Sequence, residues 1–182
     1  MSIIPKHKVF ISYYSEDEIF KERFESILGI NYAVSRSVSD GSIEIKGKTV
    51  EYIMEQIRDK YLRDSSVTIV LIGKNTWRRK YVDWEIYASL RSTKSSPRSG
   101  LLGIILPSYY SSVQSRLDIH IIPPRLYDNV ECKYAKIYNW TEDSIQLANY
   151  IHTAFSERNS TNPNNGRTRF GRNRPHKQTA WQ

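Results

Sequence analysis

The sequence predicts an α/β domain of the flavodoxin-like three-layer type, with a five-stranded parallel sheet in the order 2-1-3-4-5. Three observations carry this. Short apolar runs of strand type alternate with longer stretches of helical period, the pattern of βαβ units. One run, "SSVTIVLIG" from Ser65 to Gly73, is apolar almost throughout, as a central parallel strand buried on both faces must be. A chain of 182 residues with 39% hydrophobic content is long enough for one full α/β core and too short for two.

The first strand is "HKVFISYY". In "SEDEIFKERFESILG", which follows, Phe20, Phe24, Ile27 and Leu28 recur at i, i+4, i+7 and i+8, Ser15 and Glu18 have capping-box spacing, and Gly29 closes the helix. A weaker strand, "YAVSRSV", leads into the polar turn "SDGS". Val50, Ile53, Met54, Ile57 and Tyr61 then mark a second helix. After the central strand come the helix "WRRKYVDWEIYASL", a polar linker "STKSSPRSG" and a fourth strand "LLGIILP". Residues 107–131 contain a proline pair expected to break any regular element, so they read as a long ordered connection. "KYAKIYNW" is the fifth strand, and Thr141, Glu142 and Asp143 start a last helix reaching about Arg158, with the acids where the helix dipole favours them.

The formal charge of +8 invites a nucleic-acid reading, and its location argues against one. Six of the 27 basic residues and one acid lie from Glu157 onward, so most of the excess sits in the tail. That tail, rich in Asn, Gly, Pro and Arg, has the composition of a disordered segment. Residues 1–158 are therefore expected to form the domain, and 159–182 a basic, flexible tail that solubilises or docks a partner. A nucleic-acid face is expected to need basic residues on the folded part as well. No apolar stretch has the length of a signal peptide or a membrane span, which predicts a soluble cytoplasmic protein with no membrane partner. Cys132 is the only cysteine, and His7, His120, His152 and His176 are scattered without ligand spacing, so neither a disulfide nor a bound metal is expected.

In open parallel sheets ligands sit beyond the carboxyl ends of the strands. That rule gathers Ser12, Tyr13 and Tyr14 from strand one, Asp40 and Ser42 from strand two, and Gly73, Asn75 and Trp77 from strand three. Neither a dinucleotide glycine fingerprint nor a P-loop is present. In the third helix, Trp77, Tyr81, Trp84 and Ala88 fall at i, i+4, i+7 and i+11 and form the core stripe, with Glu85 on its shoulder, half desolvated. The residues alone leave a surface ion pair open beside a functional role. Arg78 and Arg79 read as solvated charges of the first helical turn. Ordinary glycosidases need two carboxylates, because one must protonate a poor leaving group. Release of nicotinamide from NAD is different: the leaving pyridinium is already cationic and departs neutral. A lone Glu that holds a ribose hydroxyl and opposes oxocarbenium charge is then sufficient in principle.

With "VFISYYSED", "SSVTIVLIGKNTWRRKYVDWEI", "IPPRLYDN" and a closing "KYAKIYNW", the chain resembles a Toll/interleukin-1 receptor (TIR) domain over roughly residues 7–158. More narrowly, it is similar to the TIR-like proteins of Thoeris anti-phage defence. The resemblance implies an NAD+ glycohydrolase or ADP-ribosyl cyclase, with NAD+ as substrate, no cofactor, and Glu85 as the catalytic residue. Tyr81 stands where such proteins often carry Trp, and Ser12, Tyr13 and Asp40 match substrate-pocket positions. The implied product is a signalling nucleotide, a cyclic ADP-ribose isomer or related conjugate, that activates a separate effector when a phage-derived trigger is sensed. Self-association into a homo-oligomer is also implied. The alternative is a non-enzymatic TIR scaffold that works by assembly alone.

Overall fold

In the computed structural model, which describes residues 4–29, 34–35, 46–93, 96–110 and 117–181, the chain is an α/β protein built on a parallel sheet. Strand β1 (Val9–Ser12) pairs with β3 (Val67–Ile72), β3 with β4 (Gly100–Ile105), and β4 with β5 (Ala135–Asn139), all in parallel. The two residues Val34–Ser35, β2, pair in parallel with Val9 and Phe10 on the other side of β1. Among the described residues, five α-helices pack against the sheet: α1 (Glu18–Leu28), α2 (Val50–Ile57), α3 (Lys80–Ser89), α4 (Pro124–Glu131) and α5 (Ser144–Glu157). Every residue of β1, β3 and β4 is buried, as the continuous apolar runs require.

Strand side chains alternate between faces, and this alternation sorts the core. Val9 and Ile11 point to one face, where they pack with Phe24 and Leu28 of α1 and Leu147 and Ile151 of α5. Phe10 points to the other and meets Ile53, Met54 and Ile57 of α2 and Trp84 and Ala88 of α3. A third cluster joins Val82, Ile86 and Leu90 to Val70, Ile72, Leu101, Ile105 and Leu126. Helix α3 therefore carries two apolar stripes, one toward α2 and β1 and one toward α4 and β4.

Several local expectations change. Ser15–Asp17 forms a 3₁₀ turn ahead of α1, and neither Tyr14 nor Asp17, at the two cap positions, makes a side-chain cap bond, so no capping box forms. The contraction to i→i+3 bonding moves Ser15 off the N-cap position. Gly29 does end α1, at a φ of 72° that glycine adopts without steric cost. Trp77 lies on a separate 3₁₀ turn, Thr76–Arg78, so α3 starts three residues after it and Glu85 sits about one and a half turns into the helix. The proline pair starts an element: Pro124 occupies the first turn of α4, where its missing N–H costs nothing. The cap of α5 is Asp143, which accepts from the N–H groups of Ile145 and Gln146 at 2.8 and 3.2 Å; Thr141 instead accepts from the N–H of Asp143. The turn "SDGS", with Asp40 and Ser42, lies outside the described residues.

The composition after α5 predicts a flexible tail, and the described residues 159–181 contain neither helix nor strand. Specific bonds nonetheless lay the segment against α3 and α4. The anchor is an ion pair between Asp83 and Arg125, whose side chains are 3% and 0% exposed, with Nε–Oδ1 at 2.8 Å. Arg125 also donates to Asn165 Oδ1 at 3.0 Å and to the Arg167 carbonyl at 2.8 Å. Asn129 and Asn164 exchange two bonds, and Arg167 grips Asp128 through both carboxylate oxygens at 2.6 and 2.7 Å. Near the end of the described chain, the Trp181 N–H and ring N–H donate to the carbonyls of His120 and Ile119.

Arg125→Met should strand a buried carboxylate at Asp83 and cost about 3–5 kcal/mol. Urea unfolding would measure this, and Asp83→Leu in the same background should recover part of it.

On the opposite side of the sheet, His7 Nε2 lies 2.9 Å from His152 Nδ1, and its ring stacks on Phe155 at 4.0 Å. Burial, then the charges of His152 and Arg158, hold the His7 imidazole below its ordinary value of 6.5. The unfolded chain therefore takes up this proton first as pH falls. Stability supplied by neutral His7 is present above pH 6.5 and lost as pH drops through the lowered value. In thermal melts between pH 7.5 and 5, His7→Gln should show a shallower acid-side loss than the natural protein.

Candidate active site

Ser12 is the last residue of β1 and lies two positions beyond Phe10, so it faces α3 as Phe10 does. On α3, Tyr81, Glu85 and Ala88 share the stripe turned toward β1, since residues three and four apart lie on one helical face. The two elements meet where the Ser12 hydroxyl donates to Glu85 Oε2 at 2.5 Å. Glu85 is 0% exposed, not the half-desolvated shoulder residue that spacing predicts. The shoulder argument assumes a single apolar stripe on α3; Val82 and Ile86 form a second one, and Glu85 lies between the two, on the face turned to the sheet.

Tyr13, half-buried, packs against the core cluster of α1 and α5. Burial is the first cause that raises its phenol pKa, followed by Glu18; Lys21 opposes, and Glu25 and Glu85 add to the rise. Tyr81 stands one turn before Glu85, edge-on to Trp84 at 5.5 Å. Trp84 is 8% exposed and belongs to the core, as its place in the stripe predicts. Arg78 and Arg79 precede the helix instead of opening it, and both are half-buried on aromatic faces: Arg78 over Trp77 at 4.9 Å, Arg79 over Tyr14 at 3.4 Å. The structure thus brings Ser12 and Glu85 into contact and sets Tyr81 one turn before Glu85, while Tyr13 packs on the other face of the sheet, with α1 and α5. Asp40 lies outside the described residues.

A second polar group at the same sheet edge has no signature in the sequence. Asp17, buried at the end of the 3₁₀ turn after β1, accepts from the Ser108 hydroxyl at 2.8 Å. Burial raises the Asp17 carboxyl pKa, bonds from Ser108 and Thr76 pull it down, and nearby Glu16 pushes it up. Asp17 packs directly on the backbone of Gly73 beyond β3, where any Cβ would run into its carboxylate. The Gly73 N–H donates to Thr76 Oγ1 at 2.9 Å, and that oxygen lies 3.3 Å from the Leu71 carbonyl, which shares the hydroxyl's one proton with Asp17. The ends of β1, β3 and β4 are so tied into one polar rim. Its members are far apart in sequence, and "SED", with a carboxylate just after a strand, is the one local hint.

In its ionised form, a carboxylate held at this depth, in a medium of low dielectric, stabilises adjacent positive charge far more than it would in water. Among the described residues no group of three or more His, Cys, Asp and Glu could hold a metal ion. No helix among them is long and apolar enough to cross a membrane.

The family model described as "Thoeris protein ThsB, TIR-like domain" matches residues 10–111, more than half of the chain. The chain belongs to this family, and so to the TIR proteins of anti-phage defence. The match includes Ser12, Tyr13, Tyr81 and Glu85 and stops before α4 and the segment beyond α5.

Ser12→Ala removes a donor from a buried carboxylate. A loss of about 1–3 kcal/mol in unfolding free energy is expected, and Ser12→Thr, which keeps the hydroxyl, should lose less.

Proposed function

We propose that the protein cleaves NAD+ at the bond between nicotinamide and ribose, with Glu85 as the catalytic carboxylate. The observation that carries this reading is the Ser12–Glu85 contact: a wholly buried carboxylate, held by a serine at a strand end, on the edge of the sheet where such folds bind ligands. Thoeris TIR domains are generally NAD+-cleaving, which supports the same reading. As the C–N bond breaks, electrons leave with the neutral nicotinamide and positive charge develops on the ribose. A fixed anion opposes that charge as it forms. Nicotinamide departs without protonation, so the chemistry does not call for a second acid beside Glu85.

In this reading Ser12 holds Glu85, and Tyr13, Tyr81 and Asp40 bind the substrate. The released ADP-ribosyl group closes on itself or joins an acceptor, giving a signalling nucleotide that activates a separate effector on infection. Glu85 has no solvent exposure, so substrate reaches it only when neighbouring groups move, which suits an enzyme silent until a phage-derived trigger acts. We read Val34–Ser35 as the second strand of a five-stranded flavodoxin-like sheet in the order 2-1-3-4-5. The TIR-like unit then spans 1–158, and 159–182 is an appended segment.

The test is mass spectrometry of small molecules from phage-infected cells carrying the natural protein or Glu85→Gln. With Glu85→Gln, NAD+ consumption and the nucleotide product should fall by at least about 100-fold, in line with loss of a principal electrostatic group. Product and resistance at natural levels in the variant would instead favour a scaffold that acts by assembly.

A further inference from the structure

The outer face of α3 is closed by chain that the family match does not reach. Residues 165–173 run along the helix from its end back to its start and contact it at three levels. Asn165 donates through Nδ2 to the Tyr87 carbonyl at 3.0 Å. The backbone of Phe170 is held on both sides: its N–H donates to Asp83 Oδ2 at 2.9 Å, and its carbonyl accepts from the Trp84 ring N–H at 2.8 Å. Asn173 Oδ1 accepts from the Lys80 N–H at 2.9 Å. The last bond replaces a missing local cap, since Arg79, at the N-cap position, makes no side-chain cap bond. At 3.6 residues per turn, Asp83 and Tyr87 project from the side of the helix roughly opposite Glu85. The helix is thus pressed between the strap on one side and Ser12 on the other.

We propose that residues Asn165–Asn173 act as a strap that positions Glu85, with Asn165 and Asn173 as positioning residues. The strap fixes the axial position and rotation of α3, and the Ser12–Glu85 contact depends on both. The bonds named above reach Lys80, Asp83, Trp84 and Tyr87, so its effect on catalysis passes through the helix. The catalytic consequence rests on the reading of Glu85 given above; the structural one does not.

The experiment compares the full-length natural protein, Asn165→Ala/Asn173→Ala, and Asn165→Ala/Asn173→Asp, which keeps a carboxylate acceptor for the Lys80 N–H. The Glu85 side-chain carboxyl carbon is followed by NMR in protein labelled with ¹³C-glutamate, its resonance assigned by its absence in Glu85→Gln. The double alanine variant should shift or broaden this resonance, and the variant that carries Asn173→Asp should restore it in large part. In lysates of infected cells given NAD+, the alanine variant should lose about 10- to 100-fold in turnover at saturating substrate, the scale of a small misplacement at a reacting centre, with KM changed by less than about twofold. Glu142→Gln, which breaks the exposed Arg23–Glu142 ion pair, serves as a control and should leave both readouts unchanged. An unmoved Glu85 resonance in the alanine variant overturns the strap, whatever the turnover does. Equal NAD+ consumption by the natural protein and Glu85→Gln would overturn the NAD+ reading, and the resonance would still decide the strap.

Discussion

The ion pair between Asp83 and Arg125 is the constraint around which the rest of this half of the molecule is arranged. Both side chains are almost entirely removed from water, which costs several kcal/mol per ion unless every donor and acceptor is used. Each oxygen of Asp83 is engaged, one by Arg125 Nε and the other by the Phe170 N–H. The guanidinium spends its remaining donors on Asn165 and the Arg167 carbonyl and lies over the Tyr87 ring at 5.0 Å. Satisfying one buried charge thus requires α3, α4 and the chain beyond α5 to meet at one place. Such a pair contributes less to net stability than to specifying one arrangement, because an alternative packing would leave a charge buried alone.

Helix α3 inherits its rigidity from this arrangement. Two faces are apolar and packed, and the third is covered by the strap. Its ends are also finished by residues far away in sequence. Asn173 caps the first turn, and Arg58, running in from beyond α2, donates to the Ala88 carbonyl at 2.7 Å in the last. A short helix is marginal when isolated, so these tertiary contacts decide its stability more than its own propensity does. A carboxylate on such a helix has little freedom to reorient.

That immobility bears on the kind of chemistry the site suits. A residue that passes protons needs a pKa near the working pH and room to reach two partners. A residue that stabilises charge needs only to be in place before the charge appears, because reorganising dipoles during reaction is what slows the same event in water. In the function proposed above, Glu85, buried and held by Ser12, would act in the second way. The Asp17 rim beside it is built in the same manner, with a carboxylate packed on the Gly73 backbone and fixed by Ser108.

The parallel α/β fold was legible from the sequence because burial on both faces forces apolar runs such as Val67–Ile72, and helices over such a sheet must repeat near 3.6 residues. The approach of Ser12 to Glu85 was only half legible. The strand-end rule selected Ser12, whereas spacing left Glu85 on the shoulder of one stripe and only the resemblance to TIR domains singled it out; its depth follows from a second stripe, Val82 and Ile86, on its other side. Local pattern misplaced the N-cap of α1 and read Pro123–Pro124 as a break, because capping geometry depends on which residue enters the first turn and not on composition. The tail is the clearest case. Asn, Gly, Pro and Arg carry no periodic apolar signal, so composition predicts no order there, and the bonds that hold it are single polar contacts to α3 and α4. The sequence by itself determined the class of fold, the family, and the helix that carries Glu85, since these follow from periodicity and contiguous motifs. Only the tertiary structure decided that Glu85 is wholly buried and that Asp83, Arg125 and the last residues hold its helix, because pairing of buried polar groups is set by distances in space that no local pattern encodes.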